Sequence, residues 1–281
     1  MKRTFRRIWP CLFVFLLFHD MALAESKPLR IGVLPIVSPR LLLKNYESVR
    51  LYLERELGQA LEFGTGASFG DFHRQAMAGE YDVIVTAAHL ARLGQREKGW
   101  RPLVKYKTPN RAILLVSKKP TINTVEDLRG KTVTSADPLA LIGMQSRQWL
   151  LERGLKVNRD YQYIDSASFT SAAYAVAHQQ VALAMISPSS YTQLPEALKS
   201  ETRIFQELPE LPGLIWMMNP KSRLDPVHLK RLLLGFTSDV AEGRTFYQLT
   251  GYVSMLEVTD EQMRALDIYV EETKALLNAK Q

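Results

Sequence analysis

Cysteine is nearly absent from this chain of 281 residues: its single cysteine, Cys11, lies close to the amino terminus. One cysteine cannot form an intramolecular disulfide, and it offers no second thiolate for a structural metal site. Stability must therefore come from the burial of apolar side chains. Hydrophobic residues make up 46% of the sequence, which is enough for one large domain or two medium ones.

The motifs of common catalytic and metal sites are also missing. Five histidines are scattered without the spacing of metal ligands, and there is no Gly-x-Ser-x-Gly turn to carry a hydrolase nucleophile. The glycine-rich run from Gly64 to Gly70 departs from the dinucleotide-binding fingerprint, because its third glycine comes one residue late and it does not follow the first strand. The sequence therefore predicts no enzyme activity, no cofactor and no metal.

Charge is neither strong nor clustered. The formal net charge is +7, part of which lies in the first 24 residues, and no run of lysine and arginine is interleaved with aromatic residues. Such a distribution does not favour a nucleic-acid partner. Beyond residue 24, no stretch is long and apolar enough to predict a transmembrane helix.

The amino terminus has the pattern of an export signal. Four basic residues within the first seven precede an apolar run from Ile8 to Phe18, and small residues follow at Ala22 and Ala24. The run is shorter than the roughly 20 residues that a transmembrane helix needs. We predict a secretory signal peptide over residues 1–24, cleaved after Ala24, and a periplasmic location.

Strand and helix patterns alternate along most of the remaining chain, which predicts an α/β fold with mostly parallel sheets. The strand at 29–34 is followed by a helix with apolar residues three and four apart, and a second such series begins near Thr121. The chain then passes through residues 208–213 into the apolar strand at 214–218. We predict two lobes joined near residues 117–120 and 208–213. Lobe 1 comprises residues 25–118 and 212–281, and lobe 2 comprises residues 119–211.

Helix-capping residues followed by proline mark candidate cleft walls. They occur at Ser38-Pro39, Asp137-Pro138, Ser187-Pro188 and Asp225-Pro226. The first three directly follow predicted strands. Ligands of open α/β sheets lie beyond the carboxyl ends of strands, where helix amino termini offer free N–H groups. The loops at 35–39, 135–139 and 186–190 are therefore expected to line a cleft, although each pair taken alone can equally be an ordinary helix cap.

Several motifs together resemble one known family. They are LRIGVLP at 29–35, GEYDVIV at 79–85, LLVSK at 114–118, TVEDLRGK at 124–131, DP at 137–138 and QVALA at 180–184. In these motifs the chain resembles the phosphate/phosphite/phosphonate-binding proteins of ABC importers, within the type 2 periplasmic-binding superfamily. The resemblance covers nearly all of the chain beyond residue 24. It implies a two-lobed fold with an interlobe ligand cleft, a small-molecule ligand and a membrane permease as partner.

Two departures from the family pattern bear on the ligand. Phosphonate-binding members place serine and threonine at the helix start after the Asp-Pro pair, where this sequence has Leu139 to Ile142. An aromatic residue often follows their Asp-Val-Ile-Val strand, where Thr86 to His89 stand here. We therefore expect a mixed pocket for a small organic molecule with an apolar part, with Arg40 and Arg111 as candidate charges. The expected polar contacts are Thr86, His89, Ser135, Asp137, Ser187 and Ser189.

Two functions are consistent with a cleft of this kind. The first is a periplasmic solute-binding protein that captures a small molecule, phosphonate-like or otherwise, for an ABC importer. The second is a periplasmic sensing module that reports its ligand to a membrane kinase or cyclase. Both need only lobes that close around a ligand through higher affinity for the closed state, without covalent chemistry.

Overall fold

The computed structural model describes residues 27–108, 110–119 and 122–279, so the predicted signal peptide lies outside the described residues. The strands are β1 (Leu29–Val33), β2 (Leu61–Gly64), β3 (Val83–Thr86), β4 (Arg101–Tyr106), β5 (Ile113–Ser117), β6 (Thr132–Ser135), β7 (Gln162–Asp165), β8 (Leu183–Ile186), β9 (Thr202–Glu207), β10 (Ile215–Met218) and β11 (Met255–Glu257). The helices are α1 (Pro39–Leu57), α2 (Phe69–Ala78), α3 (Ala88–Lys98), α4 (Leu141–Leu151), α5 (Phe169–Ala177), α6 (Pro188–Thr192), α7 (Glu196–Glu201), α8 (Pro226–Gly235), α9 (Ala241–Thr250), α10 (Asp260–Arg264) and α11 (Val270–Ala279). None of the helices in these ranges has the length and apolar character needed to cross a membrane.

The strands form two mixed sheets rather than the mostly parallel sheets expected from the sequence. The first has the order β11-β4-β10-β3-β1-β2, and the second has the order β7-β6-β8-β5-β9. Strands β5 and β10 run antiparallel to their neighbours, and each follows a crossing from the other sheet. Their first residues pair with the carboxyl ends of the neighbouring strands, Ile113 with Ile186 and Ile215 with Thr86. A chain that enters a sheet at this end can only run in the opposite direction.

Each sheet carries apolar clusters. In the first sheet, one cluster includes Tyr46, Trp216 and Phe246, and α1, α8 and α9 contribute to it. A second cluster of this sheet includes residues of α2, α3 and α11. The second sheet contributes to two further clusters, one of which includes residues of α4 and the other residues of α5. The amphipathic patterns of the sequence thus correspond to buried apolar clusters on both sheets.

Two segments, 107–112 and 208–214, connect the sheets. They lie side by side: the amide of Leu211 donates to the Asn110 carbonyl at 2.7 Å, and the amide of Leu208 donates to the Ala112 carbonyl at 2.9 Å. The sequence division assigned residues up to 118 to the first lobe, whereas β5 hydrogen-bonds to β8 and β9 of the second sheet. The sequence of an apolar strand does not show which of the two sheets it joins, because local sequence does not encode its pairing partner.

Candidate functional site

The loops expected to line the cleft follow strands that are neighbours within each sheet. β1 lies parallel to β3 in the first sheet, and β6 lies parallel to β8 in the second. Because the carboxyl ends of parallel neighbours share one edge of a sheet, the loop after β1 lies beside the start of α3, and residues 136–140 lie beside the start of α6. This edge of each sheet is where ligands of open α/β folds bind.

Apolar side chains of the second lobe join the core of the first at this edge. Leu139 and Leu141, together with Met144 of α4, belong to the same buried cluster as Leu34 after β1 and Leu90 of α3. Leu139 and Leu141 occupy positions at which phosphonate-binding relatives were expected to carry hydroxyl groups. The lobes therefore meet through an apolar contact.

Thr86 and His89 are predicted site residues of the first lobe on this edge of its sheet. Thr86 ends β3 and His89 stands in the first turn of α3, and the two are 1% and 0% exposed. Among the described residues, the Thr86 hydroxyl has no hydrogen-bond partner, and the ring of His89 interacts only with the backbone of Leu139. Buried polar groups are nearly always paired, so these two side chains are candidates for bonds to a ligand.

The electrostatics of His89 follow from its burial. Desolvation by burial lowers the pKa of His89 to about 3; a hydrogen bond with the backbone of Leu139 opposes this shift, and the neighbouring His73 adds to it. Burial also lowers the pKa of His73 to about 4. His89 is therefore a neutral imidazole at neutral pH, able to donate one hydrogen bond and accept another.

Ser135 and Asp137 already make local bonds in the second lobe. The buried Ser135 hydroxyl donates to the Met185 carbonyl of β8 at 2.9 Å. An Asp137 carboxylate oxygen accepts from the Leu139 amide at 2.8 Å. The Asp-Pro pattern predicted that Asp137 caps a helix, and this prediction is wrong. Helix α4 begins only at Leu141 with Ala140 in its N-cap position, so Asp137 shapes a turn before the helix.

The serines after β8 behave as a helix cap. The Ser187 hydroxyl accepts from the Ser190 amide at 3.1 Å, which confirms the predicted cap of α6, and it lies 3.1 Å from the Ser189 hydroxyl. Ser189 is exposed. Within the described ranges, no hydrogen bond joins these serines to Thr86 or His89.

The two candidate charges differ in their surroundings. Arg40 is exposed at the start of α1. Arg111 lies in a connecting segment, where its guanidinium pairs with Glu207 at 2.8 Å and with Glu210 at 2.9 Å. Across the described ranges, no three or more histidine, cysteine, aspartate or glutamate residues are grouped so that they could hold a metal ion.

Sequence reasoning missed two polar residues of α4 near the cleft, Gln145 and Arg147. Residues 141–147 are all buried, so both side chains need partners within the protein. Gln145 bonds the connecting segments, and Arg147 pairs with Glu272 of α11 at 2.7 Å. A glutamine and an arginine within a mostly apolar helix were the available signal, but their partners come from distant parts of the chain.

The comparisons with known proteins agree with this architecture. XAC2383 from Xanthomonas citri, bound to chloride ion, matches with a TM-score of 0.75 and 17% identity over 90% of this chain and 100% of its own. PhnD1 from Prochlorococcus marinus, in complex with methylphosphonate, matches with a TM-score of 0.72 and 12% identity over 90% of this chain and 98% of its own. The aliphatic sulphonate binding protein SsuA from Escherichia coli matches with a TM-score of 0.62 and 16% identity over 87% of this chain and 92% of its own. At these identities the likeness shows the fold alone, and no curated protein matches the sequence.

The two sheets, their paired connections and the cleft edge define a two-lobed periplasmic-binding-protein fold. The model of the family described as "ABC transporter, phosphonate, periplasmic substrate-binding protein" matches residues 31–263, and the chain belongs to this family. It is therefore a periplasmic substrate-binding protein of the ABC-transporter type, whose partners are a small-molecule ligand and membrane components of a transporter. The fold class and the resemblance predicted from the sequence are confirmed.

Proposed function

We propose that the ligand is a small organic molecule with an apolar part, bound in the interlobe cleft against Thr86 and His89. The observation that supports this most directly is the buried Thr86 hydroxyl, which has no hydrogen-bond partner among the described residues, beside the buried imidazole of His89. A ligand hydroxyl, amide or acid group that bonded to them would satisfy atoms that are otherwise left desolvated. Each such bond contributes about 1 kcal/mol net, and leaving a buried group unpaired costs about 1–3 kcal/mol.

The apolar part of the ligand would contact the second lobe. Leu139 and Leu141 present hydrocarbon where oxyanion binders need hydroxyl groups, and Arg111 is already engaged by two glutamates. A doubly charged phosphonate would therefore exchange its hydration for few compensating bonds, which is unfavourable in a desolvated cleft. The polar rim would be supplied by Ser135, Asp137, Ser187 and Ser189.

Ligand capture would proceed by closure of the two lobes. The proposed division follows the sequence, with lobe 1 at residues 25–118 and 212–281 and lobe 2 at 119–211, except that β5 moves with the second sheet to which it is bonded. Segments 107–112 and 208–214 would act as the hinge. We further propose that export removes residues 1–24 and that the closed form delivers the solute to a permease.

A thermal-shift screen of the protein purified from the periplasm tests the ligand class. The panel contains phosphate, phosphonates, sulfonates, amino acids, and small aliphatic and aromatic acids. A ligand at about 100 times its dissociation constant stabilises by about 2.7 kcal/mol, a shift of several degrees. We expect hits among organic solutes with an apolar part, and a best hit of methylphosphonate or phosphate would contradict the proposed class.

Variants locate the site of any hit. Thr86→Val preserves shape and removes the unpaired hydroxyl, whereas Thr170→Val changes an exposed threonine of α5 and serves as the control. We expect about tenfold weaker binding for Thr86→Val alone. Equal affinities for the wild type and both variants would place the site elsewhere.

Crosslinking of the liganded protein in intact cells distinguishes a permease from a membrane kinase or cyclase as the partner.

A further inference from the structure

Helix α4 of the second lobe is tied to helix α11 of the first. The Arg147 Nε atom donates to a Glu272 carboxylate oxygen at 2.7 Å, and the Thr273 hydroxyl lies 3.8 Å from the Met144 sulfur. The Arg147 side chain is 8% exposed and that of Glu272 is 36% exposed. α4 packs on β8, and α11 packs on α3 of the first sheet, so this contact spans the two lobes.

The same guanidinium also holds the wall of the cleft. Its Nη2 atom donates to the Pro138 carbonyl, directly before Leu139, at 3.1 Å, and the Arg147 Cζ atom lies 4.8 Å from the Tyr163 ring centre. The loop from Asp137 to Leu139 is thus connected through one side chain to a carboxylate of the opposite lobe.

The adjacent Gln145 ties this helix to the connecting segments. Its amide oxygen accepts from the Ala112 amide at 2.9 Å, and its amide nitrogen donates to the Pro209 carbonyl at 2.6 Å. One buried stretch of α4 therefore contacts the hinge, the cleft wall and the opposite lobe. Motion of the lobes about the connecting segments must change the contact between Arg147 and Glu272.

We propose that Arg147 is a positioning residue that couples lobe closure to ligand affinity, because its guanidinium joins the cleft wall at Pro138 in one lobe to Glu272 in the other. This inference rests on the proposed function. Glu272 then acts on ligand binding from outside the cleft, without touching the ligand.

The physical basis is the loss of contacts between the lobes. Separation of α4 from α11 would break the ion pair of a guanidinium that is nine-tenths buried and would expose the apolar side chains of Leu139 and Leu141. Both effects favour the closed arrangement. A change that weakens the ion pair therefore raises the open population, and the apparent affinity falls by the fraction of closed, competent protein that is lost.

The test is Glu272→Gln, which removes the charge and keeps the shape of a partly exposed side chain. Lys274→Gln is the matched control, since it breaks an ion pair of the same helix with Glu97 that stays within the first lobe. Glu272→Asp tests rescue by a retained carboxylate. The proteins are compared without added solute by small-angle X-ray scattering, and with the strongest hit of the thermal-shift panel by calorimetry.

We expect a larger radius of gyration and about fivefold weaker affinity for Glu272→Gln, wild-type values for Lys274→Gln, and partial recovery for Glu272→Asp. A Glu272→Gln protein with wild-type dimensions and affinity would overturn the proposal, and so would an equal effect of Lys274→Gln. If no solute in the panel binds, the proposed ligand class fails, whereas the scattering comparison still decides whether the ion pair holds the lobes together.

Discussion

His89 of the first lobe is buried against the backbone of Leu139 from the second lobe, and its ring makes no other hydrogen bond among the described residues. The imidazole therefore stays neutral where the two lobes meet. Protonation would place a charge in an apolar contact that includes Leu139, Leu141 and Met144. Acid should accordingly destabilise this contact between the lobes.

The first prediction concerns stability below neutral pH. The pKa of His89 is about 3 in the folded protein, and the pKa of an unfolded histidine is about 6.5. The unfolded chain therefore binds a proton first, so the stabilisation from neutral His89 is complete above pH 6.5 and falls as the pH drops towards 3. At pH 5 the loss is about 2 kcal/mol. Urea unfolding at pH 7.5 and at pH 5 measures it.

A variant separates this effect from the titration of carboxylates. In His89→Gln the difference in unfolding free energy between pH 7.5 and pH 5 should shrink, because the titrating group is gone. His73, whose pKa is lowered to about 4, adds a further loss that remains in this variant. His178→Gln, at an exposed site, is the control. An equal reduction in both variants would show that His89 does not cause the acid sensitivity.

The second prediction concerns the apolar contact itself. Leu141 is 4% exposed in the cluster shared by the two lobes, whereas Leu151 of the same helix is 50% exposed. Leu141→Ala should destabilise the protein by about 2–5 kcal/mol, while Leu151→Ala should change stability by less than about 0.5 kcal/mol. Chemical unfolding of both variants provides the measurement. Similar midpoints would mean that Leu141 contributes little to the core.

The third prediction concerns the anchor between α4 and the hinge. Gln145→Leu removes both hydrogen bonds and leaves the Ala112 amide and the Pro209 carbonyl without their partner. We expect a loss of about 2–4 kcal/mol, because unpaired buried groups cost more than a bond contributes. Hydrogen exchange should show faster exchange at Ala112 than in the wild type. Unchanged protection of this amide would contradict the role assigned to Gln145.

Local patterns predicted most of the helices and the inner strands. Periodic apolar spacing identified α1, whose apolar face is buried. The chain also contains local structure that apolar periodicity does not predict: an Asp127 carboxylate oxygen accepts from the amides of Asn123 and Thr124 beside a short 3-10 helix. Strands β4, β9 and β11 escaped prediction because their patterns are mixed and their partners are distant in sequence.

The candidate site was predictable only in part. Position at the carboxyl end of a strand singled out Thr86 and His89, and the structure buries both side chains at this edge of the sheet. The same reasoning could not find Arg147, because its significance depends on Glu272, which is 125 positions later in the chain. Patterns within a helix reveal which side chains are buried, but an interlobe ion pair exists only once the lobes are packed.

The last prediction concerns a glycine of the hinge. A Cβ atom at Gly213 would lie 2.8 Å from the Thr108 carbonyl oxygen, closer than side-chain carbons approach backbone. Gly213→Ala must therefore push the two connecting segments apart, at a cost of about 1–3 kcal/mol. The control is Gly235→Ala at the end of α8, where the nearest atom to an added Cβ is 3.5 Å away. Because alanine is the better helix former, that variant should be neutral or slightly more stable. Urea midpoints of the two variants compare the costs. Equal midpoints would mean that the hinge accommodates the methyl group, and the close packing of the two segments would then not restrict lobe motion.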